Sequence, residues 1–117
     1  MAHKTLINST GHRLHVTLIV RRGDQPSQVA GRVEVDLGTG DEELRERDID
    51  YGNDVDIYLN GIEIRLAGEN APETSRSIVV QRGAALDDAL NSNDTLEFLL
   101  DGEAVRIFPT NSGRIRW

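Results

Sequence analysis

Val55-Asp-Ile-Tyr-Leu-Asn-Gly-Ile-Glu-Ile-Arg-Leu66 and Leu96-Glu-Phe-Leu-Leu-Asp-Gly-Glu-Ala-Val-Arg-Ile107 align without a gap, and the pattern they share decides the fold class. In both, apolar and polar residues alternate on either side of an Asn-Gly or Asp-Gly pair. Such pairs favour two-residue type I′ turns, whose central positions both need positive φ. A turn at Asn60-Gly61 sets Leu59 opposite Ile62, Ile57 opposite Ile64 and Val55 opposite Leu66, with Asp56 against Arg65 on the other face. A turn at Asp101-Gly102 sets Phe98 opposite Val105 and Leu96 opposite Ile107, with Glu97 against Arg106. Each segment then reads as a hairpin with one apolar face and one cross-strand ion pair, the unit of an antiparallel sheet. Any well-formed hairpin of this type converges on the same pattern, so the doubling does not establish an internal duplication.

The alternation continues outward. Thr5 to Asn8 is a short apolar run before Ser9-Thr10-Gly11, and Leu14 to Val20 places Leu14, Val16, Leu18 and Val20 on one face. A turn at Thr10-Gly11 would pair these two runs, with His15 opposite Leu6 and His3 opposite Leu18. Arg21 to Gln28, with Gly23, Asp24 and Pro26, reads as a loop. Val29 to Leu37 alternates again, Val29, Val33, Val35 and Leu37 inward and Arg32, Glu34 and Asp36 outward. Leu44 to Tyr51 is a charge-rich strand suited to a sheet edge, where Arg45, Glu46, Arg47 and Asp48 discourage another chain from adding. Ala67 to Arg76 is the longest loop, Ser77 to Gln81 a short buried strand, and Ala84 to Leu90 the one stretch with helical spacing. The sum is an all-β fold, an antiparallel β-sandwich of about eight short strands with one short helical turn, a small β-barrel being the alternative. Val16, Leu18, Val33, Val35, Ile57, Ile64, Phe98 and Ile107 are the expected core.

The 117 residues suit a single domain, 1–117, with 109–117 a polar C-terminal tail. Aromatic residues make up only 4% of the chain, so the core must be aliphatic. A formal charge of −7 argues against nucleic acid and against anionic membrane surfaces, both of which need clustered Lys and Arg. The absence of cysteine excludes a disulfide framework, a thiolate metal site and a cysteine nucleophile. The segment from Met1 to Thr10 lacks the apolar run of a signal peptide and no stretch reaches membrane-spanning length, which reads as a soluble, cytoplasmic protein.

Half of the 20 acidic residues fall between Glu34 and Asp56. Asp48, Asp50, Asn53, Asp54 and Asp56 have the oxygen donors that Ca²⁺ prefers, although the spacing is not that of an EF-hand. Matching the apolar faces of Leu44–Tyr51 and Val55–Leu59 puts Ile49 opposite Ile57 and Asp50 opposite Asp56, a like-charge pair that a cation or Arg65 would relieve. The reading favoured is a solvated edge, with Asp56 held by Arg65 and no metal or other cofactor. His3, His12 and His15 do not converge in this register, which disfavours zinc and general-base chemistry. Arg22-Gly23-Asp24, the acceptor patterns at Asn8 and Asn93, and Gly38-Thr39-Gly40 are matches too short to carry a function.

No nucleophile constellation or dinucleotide fingerprint is present, so the expectation is a non-enzymatic β-sandwich module that binds protein or glycan through its loops or surface. Two alternatives stand beside it: a Ca²⁺-dependent binding domain built on the acidic stretch, and an enzyme whose site forms only in three dimensions.

Overall fold

The computed structural model describes residues 2–40, 44–67, 75–78, 81, 83–102 and 104–111. Along them run β1 (Ala2–Ser9), β2 (Arg13–Arg22), β3 (Gln25–Leu37), β4 (Glu46–Tyr51), β5 (Leu59–Ala67), β6 (Ser75–Ile78), α1 (Ala85–Asn91), β7 (Thr95–Asp101) and β8 (Ala104–Thr110). The strands form two four-stranded sheets, in the orders β4-β1-β7-β8 and β3-β2-β5-β6. Their inward faces meet in one apolar cluster, with Leu6, Leu96 and Phe98 from the first sheet and Val16, Leu18 and Ile64 from the second. This is an all-β, sandwich-like fold, and its sheets do not close into a barrel.

One pair departs from the antiparallel rule. β1 and β7 run parallel, from Thr5 opposite Thr95 to Ser9 opposite Leu99. The cause lies at the corner after β1. Thr10-Gly11 does not close a hairpin, because β2 crosses to the other sheet, and the expected pairs His15–Leu6 and His3–Leu18 do not form. Asn8, buried on the core face of β1, holds this corner: its amide donates to His12 O at 2.7 Å and to Gly38 O at 2.8 Å. Its carbonyl accepts from Thr10 N and Thr10 Oγ1. With β2 gone, β1 takes β4 and β7 as neighbours, and a parallel partner needs such a long connection.

The first of the two matched hairpins is not a hairpin. Asn60-Gly61 lies inside β5, which passes straight through it between β2 and β6. Ile19 pairs with Gly61 and Val20 with Leu59, so Asn60 is the extra residue of a β-bulge. The bulge accounts for the pattern that suggested a turn: Leu59 and Ile62, three apart, both face the core. Beyond it the expectation fails. Ile57, expected in the core, is 39% exposed and Val55 is 72% exposed. Asp56 does not meet Arg65, which pairs with His15 across the β2–β5 ladder. Nor does Asp50 face Asp56, since β4 pairs with β1 and places Asp50 opposite His3.

The second hairpin forms, with its register moved by two. Asp101 pairs with Ala104 and Phe98 with Ile107, so the chain turns after Asp101 and not at Asp101-Gly102, and Gly102 at φ 65° has the positive φ such a turn needs. A slip of two keeps every side chain on its face, so the apolar pattern could not distinguish the registers. The ion pairs could: Arg106 Nε donates to Asp101 at 2.7 Å, while Glu97 accepts from Ser9 Oγ at 2.6 Å on β1.

Other bounds shift as well. The expected loop after Arg21 is largely strand, because β2 and β3 join through a two-residue turn at Gly23-Asp24. Val29 lies on the outer end of β3 and is exposed, and Val33 and Ile107 are only partly buried against the core. Pro109 and Thr110 belong to β8, while 112–117 of the expected tail lie outside the described residues. Of the expected buried strand at 77–81, the first two residues belong to β6 (Ser75–Ile78), a sheet edge that leaves Ile78 exposed, and 79–80 lie outside the described residues. Most of the expected loop at 67–76 lies outside the described residues. β4 is the charged sheet edge that Leu44 to Tyr51 predicts.

Candidate functional site

Two recesses lie side by side where α1 packs against the ends of both sheets, and Tyr58, Asn91 and Ser92 stand between them. The first, of about 400 Å³, is built on Arg21. β2 carries this residue past an irregularity in its pairing with β3, and its side chain is only 1% exposed. The guanidinium donates from Nε to Asn60 Oδ1 at 3.2 Å and from Nη2 to Leu59 O at 3.2 Å and Asp87 Oδ1 at 2.8 Å. Asp24 lies 3.6 Å from Nη1, and the Tyr58 ring centroid 5.8 Å from Cζ. The planar fork thus joins β2, the β5 bulge and the helix, a task that suits Arg better than Lys.

Helix α1 is seven residues long and is anchored by Leu90, which is fully buried. Asn91 extends the anchoring: its amide accepts from Leu59 N at 2.7 Å and donates to Leu59 O at 2.9 Å, serving the end of β5 as a strand would. Asp87 Oδ2 accepts from Gly83 N at 2.7 Å at the start of the helix. Burial alone would push the Asp87 carboxyl up, but the Gly83 N–H, Arg21 and Asn91 together outweigh it and hold the group below the usual carboxylate range. A carboxylate so committed is a structural anion, unsuited to trading protons near neutral pH.

The second recess, of about 450 Å³, opens between the connection 52–58 and the segment that leads from α1 into β7. Its base is Lys4. On β1 the residues Ala2, Lys4, Leu6 and Asn8 share the core-facing side of the strand, so this lysine sits where a leucine would be expected, and it is 4% exposed. Its Nζ donates to Asn93 O at 2.5 Å. Burial drives its pKa down to about 8, against an opposing pull from Asp94. Tyr51, buried nearby on β4, is pushed up to about 12 by burial and so remains a neutral hydroxyl donor. Ile57 and Tyr58 supply an apolar rim. The exposure of Ile57 therefore has a place in the architecture: it lines a recess.

The residues considered for Ca²⁺ are dispersed. Asp48 accepts from Thr5 Oγ1 at 2.6 Å, and Asp50 contacts His3 Nδ1 at 3.0 Å. Asn53 Oδ1 accepts from Val55 N and Asp56 N, both at 2.8 Å, and Asp56 takes Gly23 N at 2.6 Å. Asp54 is exposed. Asn53 and Asp56 thus shape the connection before β5, and no group of three or more His, Asp or Glu able to hold a metal occurs among the described residues. His3 lies on β1, His15 on β2 in the other sheet, and His12 in the corner between those strands. His15 lies between Asp36 at 2.7 Å and Glu34 at 3.1 Å, which raise its pKa, on the outer face of the β3-β2-β5-β6 sheet. Arg22-Gly23-Asp24 is the β2–β3 turn, its glycine N–H bonded to Asp56. Asn8 is buried and bonded; Asn93 lies beside the second recess, its amide donated to Asp88 O and Ala89 O.

Neither Lys4 nor Arg21 stands out from spacing or motif. Composition does mark the first: of 13 Lys and Arg residues, Lys4 is the single lysine. Compared with protein families, curated proteins and solved structures, the chain finds no significant match in any of the three. Fold and site together give, among the described residues, a sandwich-like pair of four-stranded sheets with a recess of about 450 Å³ at the helical end.

Proposed function

We propose that the chain is a non-enzymatic binding module that takes a small, neutral, hydroxylated ligand, a glycan unit, in the recess between the connection 52–58 and the start of β7. The observation that carries this reading is the make-up of that recess. The Tyr58 ring and Ile57 offer apolar surface for the C–H faces of a sugar. Tyr51, Lys4 and the backbone around Asn93 offer hydroxyl, ammonium and carbonyl groups for its hydroxyls. Charge is near balance there, Lys4 facing Asp94, so neither a polyanion nor a polycation is favoured. The volume falls within the roughly 300–1,000 Å³ typical of small-ligand sites.

Amide NMR with a panel of methyl glycosides tests it. Saturable shifts should map to the segments around Tyr58 and Asn93, and Tyr58→Ala should weaken the ligand about tenfold, equivalent to about 1.4 kcal/mol. Shifts confined to another face, or none at high millimolar ligand, would overturn the reading. No helix among the described residues is long and apolar enough to cross a membrane.

A further inference from the structure

We infer that Lys4 is a covalent anchor, its amine condensing in the recess with the carbonyl carbon of a small hydroxy-aldehyde such as an open-chain sugar. The inference rests on the reading of this recess as the ligand site and names the bond that fixes the ligand there.

Three observations converge. Lys4 is the chain's only lysine, it occupies a core-facing strand position, and it forms the base of a recess of about 450 Å³. A purely structural residue at that position would be Leu or Met, which fill the space without desolvating a charge. A purely electrostatic one would be Arg, as everywhere else in the chain. What Lys alone offers is an amine that can lose its proton and attack. Burial prepares it for this: with its pKa lowered to about 8, roughly a tenth of the amine is neutral at pH 7, about 300 times the fraction in an exposed lysine.

The step balances without oxidant or reductant. The neutral amine's lone pair adds to the carbonyl carbon and gives a carbinolamine. The carbinolamine hydroxyl is protonated and leaves as water, forming the C=N bond. The protonated imine carries one positive charge, as the ammonium did, so the attraction of Asp94 is kept in the product.

The intact protein is incubated at pH 7 with glyceraldehyde and cyanoborohydride, which reduces imines as they form, and the adduct is located by peptide mass spectrometry. Nα-acetyl-lysine in the same tube is the reference. Lys4 should be trapped at least about tenfold faster than the reference, and this advantage should disappear in urea. Lys4→Arg should carry no adduct at position 4. Trapping no faster than the reference, or unchanged by urea, would overturn the inference. Methyl glycosides, which have no free carbonyl, separate it from the function proposed above. If they bind the recess while Lys4 is not trapped, only the covalent step fails; if Lys4 is trapped rapidly while no glycoside binds, the covalent step stands and non-covalent glycan capture fails.

Discussion

Replacing Lys4 by Met should stabilise the protein at neutral pH, and the advantage should shrink in alkali. An exposed lysine titrates near 10.5, whereas Lys4 titrates at about 8, chiefly because burial penalises its charge and only partly because Asp94 offsets this. At about 1.4 kcal/mol per pKa unit, holding the amine charged inside the fold costs about 3 kcal/mol at pH 7. The sign follows from proton counts. Between the two values the unfolded chain binds a proton that the folded one does not, so stability rises with pH from about 8 towards 10.5. Read downward, stability present above the unfolded value is lost as pH falls through the folded one. Tyr51, raised to about 12, acts oppositely above its ordinary value of 10.0, which leaves pH 8–10 as the clean window. Methionine matches the reach of the lysine stem but gives up the hydrogen bond to Asn93 O, worth about 1 kcal/mol. The net gain at pH 7 is therefore about 2 kcal/mol. Urea unfolding at pH 7, 8, 9 and 10 measures it: the wild-type midpoint should climb through the window and that of Lys4→Met should stay flat. A wild-type midpoint that is level or falling from pH 8 to 10, or a Lys4→Met protein less stable at pH 7 with an unchanged m-value, would mean that burial of the Lys4 charge does not weaken the fold.

Asp87→Asn should cost about 2–3 kcal/mol in urea unfolding, because it removes the anion facing a guanidinium that is 1% exposed while the carboxylate itself is 14% exposed; since the Asp87 carboxyl is held low, its contribution should fade as pH drops through its folded value below about 4. Phe98→Ala, at a fully buried core position, should cost about 3–5 kcal/mol, and an unchanged thermal midpoint would contradict the core described. Asn60→Ala should cost about 1–3 kcal/mol by leaving Arg21 Nε and Pro26 O without their partner, whereas Val55→Ala should stay within about 0.5 kcal/mol; the reverse order would restore a turn at Asn60. His15, raised by Asp36 and Glu34, adds stability that is complete below about pH 6.5 and lost as pH rises through its folded value, so the wild-type midpoint should fall from pH 6 to 8 and that of His15→Gln should not; exposure of both acids keeps the effect under about 1 kcal/mol.

Period-two alternation was sufficient to read the sandwich, the β2 face, the β3 face from Val33 to Leu37 and most of the core, because burying one face of a sheet constrains every second residue; it missed Val29, where the β2–β3 pairing shifts. It failed where two local geometries obey the same parity. Leu59 and Ile62 share a face across a tight turn and also across a bulge, and only the third dimension decides. The deciding contacts are Arg21 and Pro26 on the Asn60 side chain, neither of which is near it in sequence. The second hairpin slipped by two for a similar reason, since its apolar faces are blind to that shift. The site was less legible still. Its parts come from β1, β2, the 52–58 connection, α1 and the start of β7, so no spacing in the sequence records their meeting.

Several of the buried polar residues that break the apolar pattern gather at the corner after β1 and at the helical end. At the corner after β1, Asn8 and Thr10 satisfy each other and the backbone, and Asn8 has its carbonyl and amide both engaged. That arrangement is complete in itself: it specifies how β1 leaves its sheet. At the helical end Arg21, Asn60, Asp87 and Asn91 are likewise joined into one network, which fixes α1 against β5. Lys4 stands beside that network and outside it. Its ammonium donates to the Asn93 carbonyl, and the residue lines the open recess instead of joining the network. The fold retains here a charge whose burial lowers stability. Such local violations of the folding rules, uncompensated by packing, are where function is expected to reside.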